Sequence, residues 1–335
     1  MRELSKVRIR SYLILACVSS AVSTVISYFF FDGDISGVIN GTIIGFLAPL
    51  FISPFTSLAG SRWAQKIPLL FMLILMDLGV MLILFILSVL SFYITNFSQE
   101  YATGQDYMFS LGLGIILSGI FTTGLMITSL VGRQELISLL SGRYLRPKTE
   151  HRIFLFMDLR NSTGIAEQLG SKDWLDFLNF SFATLSEAII LSKAQIYKYV
   201  GDEVILTWRL KNGYVPGGTN PVMRFYQNAM KEIKRQHPYF QKRWGIVPQF
   251  KIGVHAGEIV TGQLGNLKRE ITFLGDVVNT ASRILDAGKD SQYTLTISEI
   301  IYGSLSSHFQ AKFSELGETT LRGKAEKVYL FGCID

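Results

Sequence analysis

The strongest constraint on this chain is where charge is missing. Residues 1–132 hold only 6 of the 32 Lys and Arg and 6 of the 26 Asp and Glu. Between those few charges run four apolar stretches, 11–31, 35–55, 67–94 and 108–131, each long enough for a bilayer core that takes roughly 20 helical residues to cross. The whole chain is 49% hydrophobic and 17% charged, against about 25% charged in ordinary soluble proteins. The excess of +6 therefore belongs to the part after residue 132. The pattern predicts a four-span transmembrane domain (1–132), a helical linker or coupling element (133–149) and a soluble domain (150–335).

The charges that punctuate the spans alternate in sign. Arg2, Lys6, Arg8 and Arg10 precede the first, and Asp32 and Asp34 follow it; Arg62 and Lys66 precede the third, Glu100 and Asp106 follow it, and Arg133 closes the fourth. Positive residues mark the cytoplasmic side, so the expectation is a multi-pass protein of the inner (plasma) membrane with the N-terminus and the soluble domain cytoplasmic. The first run is too long for a signal-peptide core and ends in no small-x-small cleavage site. Asp77 falls inside the third span, where a carboxylate either serves a function or bonds to a neighbouring helix. Gly112, Gly114, Gly119 and Gly124 suit close helix packing. Cys17 and Cys333 have neither metal-ligand spacing nor a partner nearby. No Lys/Arg run is interleaved with aromatics, so no nucleic-acid partner is expected.

In the linker, Leu136, Leu139 and Leu140 form a short apolar helical face that Gly142 and Pro147 end. Then "RIFLFMDL" (152–159) reads as a buried strand closing on Asp158, and "NSTGIAEQLG" opens a helix with Asn161, Ser162 and Thr163 as candidate caps. A carboxylate at a strand end beside a helix N-terminus suits phosphate and a divalent cation. "AQIYKYVGDEVILTW" (194–208) reads as a hairpin turning at Gly201-Asp202; Asp202 is a turn residue unless it meets Asp158 in space. Residues 221–245 form an amphipathic helix with a basic face. "FKIGVHAGEIVTGQLG" (250–265) alternates as a strand with a turn at Gly257, and His255 reads as structural. In "ITFLGDVVNTASR" (271–283) a strand passes into a helix that puts Asn279 and Arg283 on one face, four residues apart. Asp276 reads as the helix cap. The order strand, helix, strand, strand, helix, strand predicts an α+β ferredoxin-like core, a sheet with helices on one face.

Five stretches in this order, "FMDLRNST", "YKYVGDEV", "FKIGVHAGEIVTGQLG", "FLGDVVNTASR" and "LRGKAEKVYLF", resemble the catalytic domain of class III adenylyl and guanylyl cyclases over about residues 143–332, and "GRYLRP" looks like that family's coupling element. The resemblance implies a homodimer that converts ATP to 3′,5′-cyclic AMP and pyrophosphate with two Mg²⁺ or Mn²⁺ ions per site. Asp158 and Asp202 match the metal-holding aspartates, with Leu159 adding a backbone carbonyl and the Asn161–Gly164 turn offering N–H groups to phosphate. One ion would activate the ribose 3′-hydroxyl and the other stabilise the leaving pyrophosphate. Asn279 and Arg283 match the pair that orients the ribose and stabilises charge on the α-phosphate. Arg322, with Lys324, matches a basic position for the terminal phosphates where the family often has Lys. Lys198 and Thr272 match the base-reading positions. A Lys ammonium only donates, so it suits adenine N1, and Thr accepts from the 6-amino group; Lys–Thr also resembles the bicarbonate-responsive subgroup. In the family the metal aspartates come from one protomer and the remaining set from the other. The alternatives are a guanylate cyclase, a diguanylate cyclase, whose aromatic after the turn is replaced here by Val204, a non-catalytic nucleotide sensor, and a channel or transporter carrying a cyclase.

Overall fold

The computed structural model describes the backbone of residues 2–30, 132–210, 220–267, 269–320 and 327–334, with scattered helical residues between 38 and 128. Two compact units divide the chain, Met1–Ile137 and Ser138–Asp335.

In the first unit, helix α1 (Arg2–Phe30) covers the first expected span. Leu13, Ile14, Val18, Val22, Val25, Ile26 and Phe29 all point outward from it. Two of its hydroxyls meet Thr42. Ser20 Oγ donates to the Thr42 carbonyl at 3.1 Å, and the Thr24 and Thr42 hydroxyls lie 2.7 Å apart. Gly45 comes so close that a Cβ there would stand 2.6 Å from Ser23 Cβ. The other three expected spans lie largely outside the described residues. Among those residues, the one helix long and apolar enough to cross a membrane is 162–192, in the second unit.

That stretch is core rather than span. It consists of α3 (Ser162–Thr184) and α4 (Ser186–Ser192), which follow the linker helix α2 (Arg133–Leu140) and strand β1 (Lys148–Leu159). Phe177, Phe180, Leu185 and Ala188 are buried against the sheet. β2 (Gln195–Val200) and β3 (Glu203–Arg209) form the expected hairpin. Gly201 at its turn has φ 62°, a left-handed conformation that favours glycine. Helix α5 (Pro221–Trp244) begins at Asn220, whose side-chain oxygen accepts from the Val222 and Met223 N–H groups. β4 (Phe250–Leu264), β5 (Glu270–Leu274), α6 (Asp276–Lys289), β6 (Leu295–Ser298), α7 (Glu299–Gly303), α8 (Ser307–Gln310), β7 (Ser314–Thr320) and β8 (Lys327–Cys333) complete the order.

The sheet runs β2-β3-β1-β4-β6-β8-β7, with β5 paired to β4. Its first four strands, with α3–α5, form the expected ferredoxin-like βαββαβ core. All pairings there are antiparallel; β4 and β6 run parallel, so the whole sheet is mixed. Two readings are corrected. The strand expected to turn at Gly257 runs straight through it, because β1 pairs with β4 continuously from Leu159↔Phe250 to Lys148↔Thr261. Helices also cover both faces. Ile153, Leu155 and Met157 face the cluster built with α3–α5, whereas Phe154 and Phe156 face Ile271 and Phe273 of β5 and Val277, Ala281 and Leu285 of α6. β1 is thus buried on both sides, which is why its sequence is continuously apolar rather than alternating. α6 lies flat on β4 through Gly253 and Gly257, where a Cβ would collide with Leu285 and Val277.

Candidate active site

β1 delivers Asp158 to the sheet rim, in register with Glu203 on β3 and Lys251 on β4. The β2–β3 turn brings Asp202 to the same place. Burial pushes the Asp158 carboxyl above its usual range, and the adjacent Asp202 carboxylate adds to the rise, while the Lys289 ammonium opposes it. Glu203, next in the chain, is pushed up to about 7, first by burial and then by Asp158, with Asp286 and Asp202 adding repulsion against the pull of Lys289. Lys289 Nζ stands 2.7 Å from Asp158 Oδ2 and 3.3 Å from Asp286 Oδ1. The structure therefore unites the two predicted metal aspartates and adds Glu203, Asp286 and Lys289, which sequence reasoning did not pick out. Their only advance signal was the "GDE" turn and the "DAGK" end of the helix.

The Asp158–Asp202 pair fits a divalent cation in its donor chemistry. Both are hard oxygen donors, and their mutual repulsion calls for positive charge between them. Among the described residues no three His, Cys, Asp or Glu side chains form a ready cage. Two carboxylates suit Mg²⁺ nonetheless, because that ion commonly takes one or two from the protein and the rest from phosphates and water.

Beside this pair the chain enters α3. Asn161 adopts left-handed φ 56°, and its side chain makes no cap bond; a Cβ on Gly164 would sit 2.8 Å from Asn161 Oδ1. The expected side-chain cap is therefore not formed at Asn161, and the side chain lies over the first turn instead. Ser162, Thr163 and Gly164 belong to that turn, whose N–H groups a helix cannot satisfy internally. Leu159 is buried at the end of β1, opposite Phe250.

The base-reading candidates lie on the β2 and β5 strands. Lys198 Nζ donates to Glu270 Oε2 at 3.2 Å, and the Tyr197 hydroxyl is 3.4 Å from Thr272 Oγ1. Tyr197 also meets Phe154 and Phe273 edge-on, fixing β2 to β5. Asn279 is exposed and Arg283 half-buried on α6. The helix is capped by Gly275; Asp276 lies inside its first turn and accepts from Thr280 Oγ1 at 3.1 Å, so the expected cap role is corrected. His255 bonds Ser298 Oγ at 2.8 Å through Nδ1, in keeping with a structural part. Arg322 and Lys324 lie outside the described residues, in the connection between β7 and β8.

A profile described as "Adenylate and Guanylate cyclase catalytic domain" matches residues 146–332, more than half of the chain. The chain belongs to the adenylate and guanylate cyclase family. Similar proteins include adenylate cyclase 2 of Rhizobium meliloti (strain 1021), 29% identical over 221 residues, covering 64% of this chain and 60% of the relative. The receptor-type guanylate cyclase gcy-4 of Caenorhabditis briggsae is 25% identical, over 63% of this chain and 19% of its own. The chain thus matches less than two thirds of the length of these cyclases. A solved structure of a bacterial light-regulated adenylyl cyclase shares the fold at TM-score 0.56 and 18% identity, covering 66% of this chain and 64% of that one. The sheet described above, with its mixed pairing, is the catalytic-domain fold of class III cyclases.

Proposed function

We propose that this protein is a membrane-anchored adenylate cyclase that converts ATP to 3′,5′-cyclic AMP and pyrophosphate, with each site shared between two copies of the chain. The observation that carries the reading is the meeting of Asp158 and Asp202 at the mouth of a helix N-terminus. There the metal-holding and phosphate-holding groups lie side by side. Two bound Mg²⁺ or Mn²⁺ ions would supply the Lewis acidity for attack by the ribose 3′-oxygen and departure of pyrophosphate. The chain's own part is placement and charge. The first turn of α3, Asn161 to Gly164, offers N–H groups to the phosphates. Asn279 orients the ribose and Arg283 stabilises charge on the α-phosphate, an interaction for which one donor is typically worth about 3 kcal/mol. Arg322 and Lys324 hold the terminal phosphates.

Sharing of sites is supported by distance along α6. Lys289, which touches Asp158, lies about 15 Å along the helix axis from Asn279, at 1.5 Å per residue. In the proposed arrangement Asn279 and Arg283 serve the aspartates of a second chain, and the monomer is inactive. Mixing Asp158→Ala with Arg283→Ala chains restores up to one intact site per heterodimer; no recovery sinks the shared site. Lys198 and Thr272 favour adenine, Lys donating to N1 and Thr accepting from the 6-amino group. One observation favours a second reading: the Glu270 carboxylate beside Lys198 is an acceptor of the kind guanine N1–H seeks, which would make the protein a guanylate cyclase. Cyclisation of ATP against GTP by the purified protein with Mn²⁺ and with Mg²⁺ decides, and a GTP preference overturns the adenine assignment.

The outward-facing apolar side chains of α1, with small and hydroxyl residues at its inner contacts, are what helix packing in lipid uses. They support a bilayer-embedded first unit, and Arg2, Lys6, Arg8 and Arg10 ahead of its first apolar stretch support a cytoplasmic N-terminus and catalytic domain. Protease added to spheroplasts should leave the catalytic domain intact until the membrane is opened; digestion beforehand refutes the orientation.

A further inference from the structure

The carboxylates that meet at Asp158 already have a cation of their own. Lys289 sits in the last turn of α6, on the same chain as Asp158, and its ammonium spends its contacts on two acids. One is Asp158 Oδ2 at 2.7 Å, on a side chain only 15% exposed; the other is Asp286 Oδ1 at 3.3 Å, on a side chain 64% exposed. Asp286 and Lys289 are three residues apart on the helix, so their side chains are neighbours whichever way Lys289 turns. The inner oxygen belongs to a residue read above as a metal ligand, whereas the outer one faces solvent.

We propose that Lys289 is a tethered competitor for the metal site: its ammonium holds Asp158 until a divalent ion displaces it to Asp286, and so it sets the ion concentration at which the site becomes competent. The proposal rests on the metal role of Asp158. An ammonium at hydrogen-bond distance uses the same carboxylate lone pairs that a divalent ion needs, and two cations cannot share them closely without strong repulsion. Asp286 makes the exchange reversible, because the displaced ammonium keeps one carboxylate. Lys289 is a positioning residue in this scheme, since it acts on the ion and the carboxylate rather than on nucleotide.

The competing explanation is a structural ion pair that only fastens α6 to β1. Binding of Mn²⁺ alone, without nucleotide, separates the two, measured on the full chain in detergent by the paramagnetic resonance of free Mn²⁺. Half-exposed ion pairs are worth up to about 1 kcal/mol, so Lys289→Met should bind Mn²⁺ about threefold to fivefold more tightly than the parent. Lys289→Arg, which keeps the charge, should remain within twofold of the parent. A purely structural pair predicts a lower thermal midpoint in Lys289→Met with unchanged or weaker Mn²⁺ binding, and that result overturns the proposal. Should Lys289→Met not fold, Lys289→Gln is read by the same criterion. Asp158→Asn tests the reading beneath it. Loss of Mn²⁺ binding there upholds the metal site whatever Lys289 does, and undiminished binding removes both.

Discussion

Gly253 is the position at which a single methyl group should separate folding from catalysis. It lies near the start of β4, paired with Phe156 of β1 and Thr296 of β6, so the strand is held from both sides and cannot give way. A Cβ there would sit 2.5 Å from Leu285 Cα and 2.7 Å from Leu285 Cβ, with the Leu285 backbone nitrogen also in collision. Carbon atoms pack best at about 3.5–4.0 Å, so α6 must rise by about 1 Å to admit Gly253→Ala. Overpacking of this kind costs about 1–3 kcal/mol, which a cooperative domain can survive. Catalysis should suffer more, because the displaced helix carries Asn279 and Arg283, and a misplacement of about 1 Å can cost about a hundredfold in rate. The assay is kcat and KM for ATP cyclisation, with thermal unfolding followed by tryptophan fluorescence. Gly257→Ala is the comparison: its Cβ would meet Val277 Cγ2 at 2.7 Å but the other Val277 carbons only at 3.9 Å, so a side-chain rotation relieves it, and its loss should stay below about tenfold. A folded Gly253→Ala enzyme with kcat within threefold of the parent would refute the claim that α6 is positioned by this contact.

Glu203 predicts a pH effect. Its carboxyl is raised from 4.5 to about 7 in the fold, so between those values the native state binds more protons than the unfolded chain, and stability falls as pH rises through that window. One unit is worth 1.36 kcal/mol; partial solvent access reduces the full shift to about 1–2 kcal/mol. Glu203→Gln should flatten the dependence of the thermal midpoint between pH 5 and 7.5 in chelator, and an unchanged slope would show that Glu203 is not its source. A second prediction concerns the buried group Tyr144–Glu150–Arg152. Glu150 accepts from the Tyr144 hydroxyl and from Arg152 Nε, both at 3.0 Å, with Arg209 Nε at 3.3 Å. Arg152→Met leaves a buried carboxylate short of a partner and should destabilise by about 2–4 kcal/mol. Glu150→Gln in the same chain should recover part of that, and no recovery would mean the loss is packing rather than charge.

The catalytic domain was legible wherever periodicity and turn chemistry agreed. The hairpin around Gly201-Asp202, helix α5 and the passage from β5 into α6 all stand near the positions their residues indicate. β1 begins at Lys148 rather than 152, because Lys148, Thr149, Glu150 and His151 carry no apolar signal, and only the fold shows Glu150 buried with Tyr144 and Arg152 donating to it. Gly257 looked like a turn because sequence shows the missing side chain but not the helix that needs the space. β7 went unread: "SELGETT" has no apolar alternation, and as an edge strand it needs none. Within the site, the ligand-type residues were visible as motifs. The setting of Glu203, Asp286 and Lys289 was not, since it arises only when the end of α6 arrives beside the end of β1.

That arrival has a consequence for a dimer with shared sites. In such a dimer the last turn of α6 holds Lys289 against Asp158 of its own chain, while its earlier turns would present Asn279 and Arg283 to the nucleotide held by the partner. The helix is then a rod of about 20 Å, at 1.5 Å per residue, with one foot in each of two reaction centres. In that arrangement an event at one centre would reach the other as a tilt or slide of that rod, and the two halves of the dimer would not turn over independently.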